Sequence, residues 1–95
     1  MFILPKTDFE EYVVIDRELF GGRQKVYKFP NGYGASVINH EFSYGLEVAV
    51  VEFIEDEFAE EEIFTLVFDT PVTDDVIGYC TEEQVNEILQ EVYKL

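Results

Sequence analysis

The fold is decided by residues 23–40, which read RQKVYKFPNGYGASVINH. On each side of Pro30-Asn31-Gly32 the side chains alternate in character, as they do along β-strands. Asn and Gly accept the positive φ angles that tight turns need, and Pro cannot continue a hydrogen-bond ladder. The stretch therefore predicts two antiparallel strands, 23–30 and 34–42, joined by a tight turn.

The first of these strands has two different faces. Lys25, Tyr27 and Phe29 share one face, and Gln24, Val26 and Lys28 share the other. Successive side chains of a strand point to opposite sides of the sheet. We expect the face with Gln24 and Lys28 to be solvated.

Strands are also predicted on both sides of this hairpin. A short helical turn opened by Thr7 gives way to a strand at 11–19, which ends at Phe20-Gly21-Gly22. Strand 46–54 is apolar on both faces apart from two glutamates, as a central strand would be. Strand 63–69 is expected to turn its row of alternate large side chains, Phe64, Leu66 and Phe68, toward the core.

A C-terminal helix completes the fold. Thr81-Glu82-Glu83-Gln84 is a capping box, and an apolar stripe at helical spacing follows it, formed by Val85, Ile88, Leu89 and Val92. We found no repeat and no linker that would mark a second domain. The prediction is a single α+β domain over residues 1–95: an antiparallel meander of four or five strands with the C-terminal helix packed on one face.

The net charge of the chain limits the classes of function that we expect. The 95 residues carry 21 Asp and Glu against 6 Lys and Arg, a net charge of −15. Residues 1–40 are balanced, so the whole excess lies in residues 41–95, where Lys94 is the only base. Nucleic-acid binding needs clustered Lys and Arg, and anionic membranes attract basic segments. We therefore expect neither direct nucleic-acid binding nor membrane binding.

The carboxylates themselves are the candidate binding residues. Residues 55–62 hold six acids in eight positions and predict an exposed hairpin tip. The full set of candidate partner-binding residues adds acids farther along the chain and one apolar anchor: Glu55, Asp56, Glu57, Phe58, Glu60, Glu61, Glu62, Asp69, Asp74, Asp75, Glu83, Glu87 and Glu91. Such a surface resembles the spaced negative charge of a nucleic acid, about one charge per 1.7 Å of duplex axis. The expected partner is a basic, nucleic-acid-binding protein.

Few residues in the sequence could support catalysis. Cys80 and His40 are each the only residue of their type, and the alternative hypothesis of a small enzyme uses them as nucleophile and base. No orienting third group or phosphate loop is present, so no catalytic residue is assigned. The tip acids lack the spacing of a calcium loop, so neither metal nor cofactor is predicted. A lone cysteine forms no internal disulfide, which favours a reducing cytoplasm.

Three segments resemble a known group of proteins. They are residues 25–38, KVYKFPNGYGASVI, then Phe42-Ser43-Tyr44-Gly45, and residues 69–79, DTPVTDDVIGY. They resemble a family of small uncharacterised proteins of tailed phages and prophages over roughly residues 16–92. The resemblance implies a non-enzymatic phage product in the bacterial host cytoplasm, directed at a restriction, CRISPR or polymerase component. The alternative in the same context is a structural or assembly component that oligomerises.

Overall fold

Five antiparallel strands follow one another as a meander in the computed structural model, which describes residues 3–95. They are β1 (Val13–Leu19), β2 (Gly22–Lys28), β3 (Tyr33–Asn39), β4 (Glu47–Ile54) and β5 (Ile63–Leu66). A 3₁₀ turn at Glu10–Tyr12 precedes β1, and helix α1 spans Glu82–Tyr93. The predicted α+β meander with its C-terminal helix is confirmed, with five strands.

The β2–β3 hairpin forms as its sequence predicts. Lys25 lies opposite Val37 and Tyr27 opposite Ala35 in an uninterrupted antiparallel register. At the turn, the Phe29 N–H donates to the Tyr33 carbonyl at 2.9 Å, and Gly32 has a φ of 86°. A positive φ of this size is unfavourable for residues with a Cβ, so glycine suits this position.

One face of the sheet, here called the covered face, carries the main core. Tyr27, Phe29, Ala35, Val37, Val48 and Val50 project from β2, β3 and β4 or the turn beside them, and pack against Val85, Ile88, Leu89 and Val92 of α1. The helix starts at the predicted capping box. The Gln84 N–H donates to Thr81 Oγ1 at 3.1 Å, and the Thr81 N–H donates to Gln84 Oε1 at 2.8 Å. Capping and the apolar stripe thus act together to hold α1 on this face.

The other face, here called the open face, is not the solvated surface that we expected. Val26 is fully buried and Gln24 is only 7% exposed, so the predicted exposure of these two residues is wrong. The sheet is curled, and Ile15 and Phe64 pack against an open-face cluster formed by Val26, Val51 and Phe53. Polar groups in this face are satisfied across strands: Arg17 Nε donates to Gln24 Oε1 at 2.8 Å, and Gln24 Nε2 donates to Ser36 Oγ at 2.9 Å.

Strand β5 is shorter than predicted and presents its large side chains differently. Phe64 contacts the open-face cluster, with its ring centroid 5.7 Å from that of Phe53, while Leu66 and Phe68 are 45% and 46% exposed. The expectation that this row meets the main core is wrong. Val67, from the alternate row, packs against the main core instead. The reason is the register with β4, because Phe64 lies opposite Phe53 of the open-face cluster, whereas Val67 bonds to Val50 of the main core.

Within residues 3–95, none of the helical structure has the length and apolar character required to traverse a bilayer.

Candidate partner-binding surface

The predicted acidic hairpin tip forms the connection between β4 and β5, and we call residues 55–62 the acidic tip. Asp56 shapes the turn, because its Oδ1 accepts from the Phe58 N–H at 2.9 Å and its carbonyl accepts from the Ala59 N–H at 3.1 Å. Phe58 is 87% exposed. A large apolar side chain in this position contributes little to stability and is available for contact with another molecule.

A cleft of about 570 Å³ separates the acidic tip from β1. Residues 14–17 of β1 line one side, and the end of β4 with the acidic tip lines the other. Five predicted partner-binding residues meet here: Glu55, Asp56, Glu60, Glu61 and Glu62. Asp16 also lines the cleft, but its carboxylate lies 2.7 Å from Arg23 Nη2; Arg17 and Lys28 are the basic residues of the lining.

Lys28 fastens the acidic tip to the open face. Its Nζ lies 2.8 Å from Glu62 Oε2, 3.5 Å from Glu55 Oε1, and 5.3 Å from the centroid of the Phe53 ring. The hydrogen bond to Glu62 raises the pKa of Lys28 above its ordinary value. Exposed ion pairs contribute little to stability. The main consequence of this contact is therefore positional: it holds the tip beside the cleft.

Glu57 and Phe58 lie in the acidic tip but do not line the cleft. The other predicted residues lie elsewhere on the molecule. Glu83, Glu87 and Glu91 are exposed on α1, which packs on the covered face, so the sheet separates them from the cleft. Asp69 follows β5. Asp74 and Asp75 lie in the segment that returns to β4 at the bridge between Val48 and Ile77. The structure thus brings five of the thirteen residues together around one cleft and places the α1 acids on the opposite layer.

The early basic residues reduce the negative potential only locally. Arg23 Nη2 lies 2.7 Å from Asp16 Oδ1, and Lys25 pairs with Glu10. Lys28 is the base that reaches the acidic part of the chain. Among the described residues, the α1 acids have no ion-pair partner within 4.0 Å. Two acidic surfaces therefore stay largely uncompensated, the acidic tip and the outer face of α1.

Sequence reasoning missed an aromatic cluster at the opposite end of the sheet. Phe20, Phe42, Tyr44 and Tyr79 are all more than half exposed there. The Phe20 and Phe42 rings meet edge to face at 5.4 Å. Phe20 and Tyr79 have φ values of 47° and 52°, which bulky residues seldom adopt. The available signal was Phe20 itself, because it stands in a two-residue hairpin turn where Asn, Asp or Gly is usual.

The Cys80 and His40 side chains make separate contacts. Cys80 Sγ donates to the Ile77 carbonyl at 3.4 Å, and His40 Nδ1 accepts from the Phe42 N–H at 3.0 Å. Burial raises the pKa of the Cys80 thiol, and the nearby Glu47 carboxylate raises it further. A nucleophilic cysteine needs the opposite shift. In residues 3–95, no cluster of three or more His, Cys, Asp or Glu side chains has the geometry to hold a metal ion.

Comparisons with protein-family models, with curated proteins and with solved structures found no match to this chain. The resemblance to phage and prophage proteins consequently stays a prediction.

Proposed function

We propose that this protein is a non-enzymatic binding protein that presents carboxylates to a basic partner. The partner is a nucleic-acid-binding protein of a bacterial host, whose basic groove this protein occupies in place of nucleic acid. The observation that carries the proposal is the cleft beside the acidic tip, because five acidic residues of the tip line it and, among the described residues, only Arg17 and Lys28 add positive charge to the lining.

The geometry supports binding in two ways. Lys28 holds the acidic tip through Glu55 and Glu62, so less conformational freedom is lost when a partner binds. Glu57, Glu60 and Glu61 form no ion pair within 4.0 Å in the described chain, so their charges are available to a partner. The net charge of −15 steers a basic protein toward the molecule, and this steering weakens as salt rises.

Phe58 gives the surface an apolar contact among the charges. Interfaces owe much of their binding energy to a few apolar or aromatic anchors, and surface charges mainly affect association rate and specificity. We therefore expect Phe58 to prolong the complex, and the tip carboxylates to select the basic partner and to speed its binding.

The test compares two variants, each of which lacks two negative charges, in capture from bacterial lysate. The captured partner is identified by mass spectrometry. The double variant Glu60→Gln and Glu61→Gln removes two charges from the cleft and leaves the Lys28 contacts intact. The matched control, Glu83→Gln and Glu87→Gln, removes two charges from α1. The proposal predicts that the tip variant loses the partner and the α1 variant retains it. Capture by the tip variant at unchanged yield and salt sensitivity would overturn it.

A second candidate function is a phage assembly component that oligomerises, and the exposed aromatic cluster favours it. Exposed apolar patches of this kind often mark protein–protein interfaces. The expected result is concentration-dependent association in sedimentation, which Phe42→Ser weakens. A monomer at high concentration would remove this candidate.

A further inference from the structure

Strand β5 is an outer edge of the sheet, because the strand order is β1-β2-β3-β4-β5. Residues 63–68 read IFTLVF and contain no charge and no proline. Ile63, Leu66 and Phe68 are all exposed. A short, uncharged, β-prone segment at a sheet edge readily pairs with another chain.

The hydrogen bonds beside β5 show which of its N–H and C=O groups point away from the sheet. The Val67 N–H donates to the Val50 carbonyl at 3.0 Å, and the Phe53 N–H donates away from β5, to the Gly32 carbonyl at 2.9 Å. Hydrogen-bonded and non-hydrogen-bonded pairs alternate along an antiparallel ladder. Phe64 and Leu66, which lie opposite Phe53 and Val51, therefore direct their N–H and C=O groups outward from the sheet.

The opposite edge is protected in the ways that natural sheets use. Strand β1 has a register irregularity between Val13 and Ile15, and its middle carries Asp16, Arg17 and Glu18. Bulges and charged side chains discourage edge-to-edge pairing. Strand β5 has neither feature within its length. Its acids stand at the two ends, with Glu60, Glu61 and Glu62 before the strand and Asp69 after it.

We propose that the β5 edge binds an extended, apolar strand of the partner, and that Lys or Arg residues flank this strand. The inference deepens the proposed function and rests on its basic partner. Main-chain hydrogen bonds to Phe64 and Leu66 supply the pairing, and the acids at both ends of β5 complement the basic flanks.

A second copy of the chain is the disfavoured occupant. Antiparallel pairing of two β5 strands would bring Glu62 of each copy toward Asp69 of the other, and like charges directly opposite are destabilising. Each copy also carries a net charge of −15. A strand with basic flanks meets the same edge without this repulsion.

The experiment titrates the isotopically labelled chain with a nine-residue probe peptide made of alternating Val and Thr between pairs of lysines. A peptide of the same core with glutamate flanks is the control. The lysine peptide is expected to change the amide signals of Phe64 and Leu66 and to bind at least about tenfold more tightly than the glutamate peptide, a difference of about 1.4 kcal/mol. Equal binding of the two peptides would overturn the charge requirement.

Three variants at one position separate backbone pairing from side-chain contact. Leu66→Pro removes an outward N–H without removing a bond to β4, Leu66→Thr keeps that N–H, and Leu66→Lys adds a charge that repels the basic peptide. Pairing predicts that Leu66→Pro and Leu66→Lys lose binding and that Leu66→Thr retains it. If the amide spectrum shows that Leu66→Pro is misfolded, Leu66→Lys decides the question. Unchanged affinity of a folded Leu66→Pro or of Leu66→Lys would overturn the proposal.

Capture of the host partner by the same variants distinguishes this proposal from the proposed function. If Leu66→Pro still captures the host partner but the Glu60 and Glu61 variant does not, the β5 proposal fails and the acidic binding function stands. If Leu66→Pro loses the partner and the tip variant keeps it, edge pairing stands and the function of the acidic tip fails. A dimer without peptide that Leu66→Lys abolishes would overturn the choice of occupant in favour of a second copy.

Discussion

The two faces of the sheet are built from the same five strands but are closed in different ways. Helix α1 closes the covered face, and its four buried side chains complete one continuous core. On the open face, among residues 3–95, the hydrophobic side chains that pack around Val26, Val51 and Phe53 are Ile15 and Phe64 from the outer strands. Stability and recognition are therefore divided between the faces: the covered face holds the fold, and the open face leaves a cleft and an edge available.

Small residues on β3 explain how the open face closes at all. Gly34 and Ser36 stand between β2 and β4 on this side, so the larger side chains of those strands meet above β3. A Cβ at Gly34 would lie 1.8 Å from the Tyr27 carbonyl oxygen and 2.7 Å from Cε2 of Phe53. The Phe53 ring therefore occupies the space that a side chain at Gly34 would need.

The largest expected effect is that of Gly34→Ala. The new methyl group must displace backbone as well as the Phe53 ring, so we expect a loss of at least about 4 kcal/mol in the free energy of unfolding. Gly32→Ala is the matched control, because its Cβ meets nothing within 4 Å and only the φ of 86° is unfavourable. It should cost about 1–2 kcal/mol. Urea denaturation measures both, and equal losses would show that the open face is loosely packed.

Next in size is the contrast between two leucines on the two faces. Leu89 is fully buried between α1 and the covered face, whereas Leu66 is 45% exposed at the open edge. We expect Leu89→Ala to lower the free energy of unfolding by about 2–5 kcal/mol. Leu66→Ala should cost under about 1 kcal/mol. Similar values in urea denaturation would contradict the division of stability between the faces.

A smaller effect concerns the stability of the fold at acidic pH, to which Glu10, beside the covered face, contributes. Burial alone would raise the pKa of Glu10, but hydrogen bonds from Lys25, Tyr27 and Thr7 outweigh it and hold the pKa below its ordinary value of 4.5. A carboxyl with a lowered pKa in the folded state stabilises the fold above the unfolded pKa, and this contribution is lost as pH falls through the folded pKa. Glu10→Gln should therefore flatten the dependence of stability on pH below about 4.5.

The measurement is urea denaturation of the unmodified protein and of Glu10→Gln at a series of acidic pH values. Glu60→Gln is the control, because the Glu60 side chain is exposed on the acidic tip, beyond the open face. An unchanged slope for Glu10→Gln would show that the Lys25 and Tyr27 contacts do not persist in solution.

The smallest effect is a gain in stability. Phe20 adopts a φ of 47° in the turn between β1 and β2, a conformation that Asn accepts more readily. Phe20→Asn should raise the free energy of unfolding by about 0.5–1 kcal/mol, measured as a higher urea midpoint. The gain should come with weaker self-association if the aromatic cluster forms an interface. A loss of stability would instead show that the edge-to-face contact with Phe42 contributes more than the turn costs.

The elements that sequence reasoning predicted well are those with strong local signals. The capping box at Thr81 and the stripe from Val85 to Val92 predicted α1, and the turn at Pro30-Asn31-Gly32 predicted the central hairpin. Alternation along β2 correctly divided its residues between two faces. It could not show that the second face is buried, because Gln24 and Lys28 are polar and the curl that covers Val26 arises from all five strands together.

The candidate site shows the same limit. The six acids of residues 55–62 predicted an exposed tip, but the sequence did not show that Glu55 and Glu62 meet Lys28 or that β1 forms the other side of a cleft. The local sequence determined the helix, the strands, the meander and the concentration of charge, because caps, turns and periodicity act over a few residues. Tertiary structure alone decided which carboxylates gather and which edge stays open, because sheet twist accumulates strand by strand and brings together residues as distant in the chain as Lys28 and Glu62.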